Sequence, residues 1–138
     1  MSRPARILIV VGTPLPHTYV HAVAASYREG VVEQGAEVRT IDLARDPIPA
    51  HPSSRNELRA PRHDGDLPLD PDVARYVDDL LWADHVAFVY PQWWGTYPAA
   101  LKAFVDRVFL SGTAFRYHAK DRGWDRLLSG RTARVVMT

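Results

Sequence analysis

Cysteine is absent from the sequence, and so is any long hydrophobic run. A chain without cysteine cannot form a disulfide scaffold, a cysteine-ligated zinc site, an iron–sulfur cluster or a thiol nucleophile. No apolar stretch approaches the ~18 residues that a membrane-spanning helix needs, and the residues after Met1 do not form a signal-peptide pattern. We therefore expect a cytoplasmic protein that is not embedded in a membrane.

An excess of one charge is lacking too. Lys and Arg together number 17 and Asp and Glu number 16, so the formal net charge is +1. A surface so nearly neutral gives no reason to expect nucleic acid as a partner. No metal site is expected either, because only His17 and His21 among the histidines have a ligand-like spacing and His17 should precede the helix that carries His21.

What is present is an alternation of strand and helix patterns. Five consecutive branched apolar residues, Ile7 to Val11, are typical of a strand buried on both faces. Apolar residues then recur at helical spacing from Tyr19, with Thr18 as a candidate N-cap and Gly35 as a stop. These elements predict the start of a βαβ unit.

The pattern continues to the end of the chain. Asp70, Pro71 and Asp72 form a strong start signal for a second helix, and residues 111–129 are expected to be irregular. We predict strands at 6–12, 37–43, 85–90 and 131–137, and helices that begin at 19, 71 and 98. This order favours an α/β fold, a three-layer sandwich with a parallel sheet, in one domain spanning residues 1–138.

The segment 44–71 differs from the rest of the chain. It holds six of the 11 prolines and shows no apolar period. A long Pro- and Arg-rich loop of this kind inside a compact domain is usually functional or disordered. Three interpretations stay open: a lid, a partner-binding arm, or a mobile loop.

The loop between the first strand and the first helix is a candidate phosphate site. A helix N-terminus offers unpaired N–H groups and a partial positive charge, and Thr13, His17 and Thr18 would add side-chain donors. A dinucleotide fingerprint and a P-loop are both absent from this loop. The alternative is a stiff connector in which Thr18 only caps the helix.

The loop after the third strand, residues 90–98, is rich in aromatic residues. Adjacent tryptophans cannot both face one side of a regular element, so one of Trp93 and Trp94 must meet a ligand, a partner or solvent. A planar aromatic cofactor would satisfy that need, and Gly95 would let the backbone approach its ring. The alternative is that both tryptophans lie in the core or in a dimer interface.

Together these loops resemble the flavodoxin-like NAD(P)H:quinone oxidoreductases. The resemblance is carried by three runs: Gly12-Thr13-Pro14-x-Pro16-x-Thr18-Tyr19, then Tyr90-Pro91-Gln92-Trp93-Trp94-Gly95-Thr96-Tyr97-Pro98-Ala99-x-Leu101-Lys102-x-Phe104-x-Asp106-Arg107-Val108-Phe109, and finally Gly112-x-Ala114-Phe115-x-Tyr117. The middle run is highly specific, whereas the first is shared with related flavin reductases. The implied fold is a flavodoxin-like sandwich with the four predicted strands in the order 2-1-3-4.

The resemblance also implies a flavin, FMN or FAD, and the residues that would hold it. The phosphates would lie at Thr13, His17, Thr18 and Tyr19, and the ring against Pro91, Gln92, Trp93, Trp94 and Gly95. Phe115 and Tyr117 would line the substrate pocket, with a homodimer as the assembly. The reaction implied is ping-pong hydride transfer from NAD(P)H through flavin N5 to a quinone-like acceptor.

The sequence departs from the family pattern at its C-terminal end. In the family a fifth strand and a last helix follow the fourth strand, so the chain looks C-terminally truncated, and a loop that completes the flavin site is not in the sequence. No catalytic residue is assigned for that reason. The alternative function is a non-catalytic flavodoxin-like module, either an electron shuttle or a regulatory subunit of a membrane transport partner.

Overall fold

A computed structural model describes residues 2–138 of the chain. Its three α-helices are α1 (Tyr19–Glu33), α2 (Pro71–Trp82) and α3 (Ala99–Val108). Its strands are β1 (Arg6–Val11), β2 (Glu37–Asp42), β3 (His85–Tyr90), β4 (Phe115–Tyr117), β5 (Trp124–Arg126) and β6 (Thr132–Met137). The predicted N-cap of α1 at Thr18 and the start of α2 at Pro71 are both confirmed.

The main sheet is parallel and has the order β2-β1-β3-β6. Since β6 is the fourth predicted strand, the expected order 2-1-3-4 is confirmed. The chain moves from β1 to β2 in one direction and from β3 to β6 in the other. The carboxyl ends of β1 and β3 therefore form the switch point where ligands bind in open α/β sheets.

Helices cover both faces of this sheet and make it the middle of three layers. On one face Leu8 and Val10 of β1 pack with the buried side chains of α2 and α3. On the other face Ile9 and Val11 pack against α1 through Val20. Alternate residues of β1 are thus buried on opposite sides, which explains why this strand reads as an unbroken apolar run.

The prediction that residues 111–129 are irregular is wrong, because β4 and β5 pair within them as a two-stranded antiparallel sheet. The long loop 44–71 also contains structure that its sequence does not indicate. A 3-10 helix at Arg55–Leu58 lies against α3, and the Tyr76 hydroxyl donates to Pro47 O at 2.6 Å. Burial raises the pKa of that hydroxyl to about 12, so it remains a donor and ties the loop to α2.

Two further features bear on function. Among the helices of residues 2–138, none has the length and apolar character needed to cross a bilayer. Within the same residues, no three His, Asp or Glu side chains come together in a way that could hold a metal ion.

Candidate functional site

The loops after β1 and β3 meet at the switch point, and Gly12 is where they touch. Its N–H donates to Val89 O at 2.8 Å. A Cβ added to Gly12 would lie 2.7 Å from Cδ2 of Leu101 and 3.0 Å from Cβ of Tyr90. Only glycine fits between β3 and α3 at this distance, so the β1–α1 loop is fixed in place by close packing.

The candidate phosphate residues occupy different depths in the β1–α1 loop. Thr13 is fully buried, and its Oγ1 accepts the Leu15 N–H at 3.2 Å. His17 is exposed and has a left-handed backbone with φ 58. Thr18 is half-buried at the start of α1, and Tyr19 is exposed. The loop thus presents His17, Thr18 and Tyr19 at its surface, whereas Thr13 supports it from inside.

A histidine that sequence reasoning did not assign to the site organises the start of α1. Nδ1 of His21 lies 3.2 Å from Thr18 N and 3.0 Å from Thr18 Oγ1. Because a backbone N–H can only donate, Nδ1 is the acceptor and the ring proton sits on Nε2. Nε2 then donates to Oδ1 of Asp42 at 3.2 Å.

Asp42 is the buried carboxylate behind this arrangement. It lies at the end of β2, is 5% exposed, and also accepts from Ala44 N–H at 3.1 Å and Arg45 Nε at 2.9 Å. Burial alone would raise the pKa of Asp42, but the hydrogen bonds from Ala44, Arg45 and His21 outweigh it and leave that pKa below its ordinary value. One local signal could have pointed to His21: its position three residues after a Thr N-cap, where capping boxes place a polar side chain.

The β3–α3 loop makes a tight turn at Trp93–Thr96. The two end residues exchange N–H···O bonds of 2.8 and 3.0 Å, and both central residues are left-handed, with φ 52 at Trp94 and φ 80 at Gly95. Such a conformation costs a tryptophan on the order of 1 kcal/mol and is typically kept at functional positions. The prediction that one tryptophan faces outward is confirmed, because Trp93 is half-buried and Trp94 is fully exposed.

This turn forms one wall of a cleft of about 830 Å³. Tyr97 and Lys102 form another part of the lining, and Ala50 and His51 of the long loop face them. No residue of the β1–α1 loop lines this cleft. The structure therefore brings the aromatic loop next to the long loop, and the candidate phosphate residues are not part of the lining of this cleft.

The predicted substrate residues Phe115 and Tyr117 lie in β4, away from that cleft. Their rings pack edge to face with centroids 5.2 Å apart, and Trp124 of β5 adds a second edge contact to Phe115 at 6.5 Å. The three rings line a shallow apolar pocket of about 230 Å³. The two sites share no lining residue, because the pocket at β4 contains no residue of the Trp93–Thr96 turn and the cleft contains neither Phe115 nor Tyr117.

Comparison with known proteins identifies the family. A family model described as a flavodoxin-like fold matches residues 5–138. The chain belongs to this flavodoxin-like family. A ribosyldihydronicotinamide dehydrogenase-like protein of Penicillium crustosum is 31% identical over 151 residues, covering 96% of this chain and 57% of that protein.

Other members are similar over the same region. An FMN-dependent NADH:quinone oxidoreductase of Listeria innocua is 28% identical over 153 residues, covering 96% of this chain and 68% of that protein. The solved structure of an NAD(P)H:quinone oxidoreductase from Methanothermobacter marburgensis is 29% identical, with a TM-score of 0.77, and covers 98% of this chain and 66% of that chain. The resemblance inferred from the sequence is thus confirmed. The chain spans only about half the length of the first curated relatives that it matches.

Proposed function

We propose that this flavodoxin-like domain binds FMN and serves in hydride transfer from NAD(P)H to a quinone-type acceptor. The names of its relatives support the proposal, since they include FMN-dependent NADH:quinone oxidoreductases and an NAD(P)H:quinone oxidoreductase. We propose FMN rather than FAD because the relatives whose names specify a flavin specify FMN. NADH and NADPH both remain candidate donors.

The observation that carries the proposal is the N-terminus of α1 at the switch point. The helix begins with Tyr19 and Val20, whose N–H groups have no partner inside the helix. Its first turn contains no acidic residue, so no carboxylate of its own neutralises the positive end of the helix dipole. These features fit a phosphate held by Thr18 and Tyr19, with His17 beside them and Thr13 beneath.

The Trp93–Thr96 turn fits the flat ring of a flavin. Gln92 N–H donates to Thr138 O at 2.9 Å and Trp93 N–H donates to Thr96 O, so neither is available to a ligand. Among the described residues the N–H groups of Trp94 and Gly95 have no backbone acceptor. We infer that these two groups face the ring, with Pro91, Gln92 and Trp93 completing that side of the site.

The chemistry that a flavin supplies when bound is hydride transfer at N5, by which NAD(P)H is oxidised and a quinone-type acceptor is reduced by two electrons. The residues of this chain bind and orient the reactants. Phe115 and Tyr117 would contact the acceptor, and a homodimer would bring them toward a neighbouring aromatic turn that they do not reach within one chain. A cytoplasmic location fits the use of NAD(P)H.

Titration of the purified protein with FMN tests the proposal directly. We expect quenching of flavin fluorescence on binding, and loss of the visible flavin absorption when NADH or NADPH is added without oxygen. We expect the exposed Trp94 indole to stack on the bound ring as well. Trp94→Ala should then weaken FMN binding about tenfold, because an aromatic side chain that stacks on a planar ring contributes ~1–3 kcal/mol. Leu67→Ala removes another exposed apolar side chain, one that does not line the cleft, and should leave the affinity unchanged.

Two outcomes would count against the proposal. A protein that binds neither FMN nor FAD lacks the site altogether. A protein that binds FMN but is not reduced by either nicotinamide nucleotide is a flavin-binding module without the enzyme activity.

A further inference from the structure

A second pocket, which we call the Arg62–Arg116 pocket, lies between the long loop and β4. Its volume is about 420 Å³, and it shares no lining residue with the cleft beside Trp94. Two arginines but no acidic residue line it, from opposite sides: Ala60, Pro61 and Arg62 of the long loop, and Gly112, Arg116 and Tyr117 of the segment that contains β4. The lining of the pocket therefore carries two positive charges and no negative one.

The two walls of this pocket are held together by backbone contacts. Ala60 N–H donates to Ser111 O at 2.9 Å, and Arg59 forms a parallel bridge with Ser111. Gly112 has φ +92, and a Cβ there would lie 3.2 Å from Cβ of Ala60. The loop thus approaches as closely as it does because residue 112 is glycine.

An ion pair to α3 also holds the long loop. Nη2 of Arg107 lies 2.9 Å from Oε2 of Glu57, and Arg107 is only 2% exposed. Glu57 belongs to the 3-10 helix just before the pocket wall. The ion pair therefore holds the part of the long loop that leads into the pocket wall.

Neither guanidinium in the pocket has a partner among the described residues, whereas the neighbouring Arg59 pairs with Asp66 at 3.4 Å. The other carboxylate oxygen of Asp66 accepts the backbone N–H of Arg62 at 2.8 Å. This acid is thus engaged by Arg59 and by backbone, and it does not line the pocket. Two guanidinium groups that face one pocket without a carboxylate favour an anion with several acceptor oxygens.

We propose that the Arg62–Arg116 pocket binds a phosphate group. A phosphate carries close to two negative charges at neutral pH and has several acceptor oxygens, which matches two guanidinium groups better than a single carboxylate does. The group can come from inorganic phosphate or from a phosphate monoester of a nucleotide, for which Tyr117 offers an aromatic surface. This inference goes beyond the proposed flavin chemistry and rests on the two arginines, although the pocket adjoins the proposed acceptor site through Tyr117.

Calorimetry with inorganic phosphate, against chloride at equal ionic strength, tests the site. We expect Arg62→Ala and Arg116→Ala each to weaken phosphate binding about tenfold or more, as expected for loss of a charged hydrogen bond, and the double variant to abolish it. Arg55→Ala in the long loop and Arg122→Ala between β4 and β5 remove exposed arginines outside the pocket, and should change nothing. Thermal melts establish that each variant is folded.

Binding of adenosine 2′-phosphate, with unphosphorylated adenosine as control, distinguishes a nucleotide phosphate from inorganic phosphate as the ligand. Tighter binding of the nucleotide than of inorganic phosphate, lost in the double variant, assigns the pocket to a phosphorylated nucleotide. Equal binding of nucleotide and inorganic phosphate assigns it to phosphate alone. Both results support a phosphate site.

Three results would overturn the proposal. The wild-type protein could fail to bind phosphate, or the Arg62 and Arg116 variants could bind it as the wild type does. In a third result the double variant would lose FMN affinity together with phosphate affinity, and the pocket would then belong to the flavin. Failure of FMN binding with phosphate binding intact would refute the proposed function and leave this inference standing.

Discussion

The N-termini of α1 and α2 have opposite chemistry. At α2 the Asp70 carboxylate accepts the N–H groups of Asp72 and Val73 at 2.9 and 3.4 Å, Pro71 fills the first position, and Asp72 adds a negative charge. At α1 the cap is Thr18, and the first turn contains no acid. One helix start is neutralised by its own sequence, whereas the other keeps its positive end for a ligand.

The two starts also differ in what supports them. The α2 cap is local, since residues 70–73 provide both donors and acceptor. The α1 cap depends on tertiary structure, because Thr18 N–H bonds to His21, which in turn is held by Asp42 of β2. The N-terminus of α1, which has no acidic cap of its own, is thus held in place by a residue from another strand. Local sequence patterns do not reveal such distant contacts.

The largest effect is expected when α1 is made to resemble α2. Thr18→Asp places a carboxylate where we propose that the flavin phosphate binds, and repulsion between nearby charges of the same sign amounts to about 3 kcal/mol at a partly screened site. FMN binding, followed by fluorescence quenching, should weaken at least about a hundredfold. The melting temperature should stay near that of the wild type, because Asp is a good N-cap and offsets the loss of the hydrogen bond from the Thr18 hydroxyl to His21.

Ser26→Asp provides the matched control for this variant. It adds the same charge to the exposed side of α1, away from the helix start, and should leave FMN affinity nearly unchanged. If Ser26→Asp and Thr18→Asp weaken FMN binding equally, the phosphate does not bind at this helix start.

A smaller effect, on stability, is expected when Asp42, which holds His21 at the start of α1, loses its charge. Asp42→Asn should lower the free energy of unfolding by about 2 kcal/mol at neutral pH, since three donors then face a neutral amide. The folded pKa of Asp42 is lower than its ordinary value of 3.8, so its stabilising contribution is present above that value and lost as the pH falls through the lowered folded pKa.

Urea unfolding at several pH values measures this difference. The difference in the free energy of unfolding between the wild type and Asp42→Asn should become smaller as the solution is acidified below about pH 4. Asp64→Asn, at an exposed position in the long loop, should match the wild type throughout. A gap that stays constant with pH would show that the charge of Asp42 does not stabilise the α1 start.

The smallest effect is expected at α2. Asp70→Ala removes the side-chain cap and should cost about 1 kcal/mol of unfolding free energy, with FMN affinity unchanged. Asp78→Ala, on the exposed face of the same helix, should cost less. Loss of FMN affinity in Asp70→Ala would contradict the distinction between a self-capped helix and a ligand-binding one.

The sequence predicts those parts of the molecule whose causes are local. The apolar run of β1 indicates a strand buried on both faces, and Asp70-Pro71 marks the start of α2, because neighbouring residues supply each signal. The adjacent pair Trp93 and Trp94 likewise predicts one exposed ring, since successive residues must point apart.

The elements that sequence reasoning missed depend on partners far along the chain. The strands β4 and β5 have three residues each, too few to show a period. Arg107 reaches Glu57 across 50 positions, and His21 reaches Asp42 across 21. The 3-10 helix and the support of the α1 start therefore became visible only in three dimensions. The assignments of flavin and substrate residues, by contrast, came from motif resemblance and remain predictions.

The position of Trp94 has a practical consequence. Its indole is fully exposed on a turn whose backbone is fixed by two hydrogen bonds, so this fluorophore is surrounded by water and attached to a rigid base. Its emission should be red-shifted and open to collisional quenchers in the free protein. Any molecule that covers the turn will shield it. The chain has four tryptophans, so the difference in emission between the wild type and Trp94→Ala reports on occupancy of the turn without an attached dye.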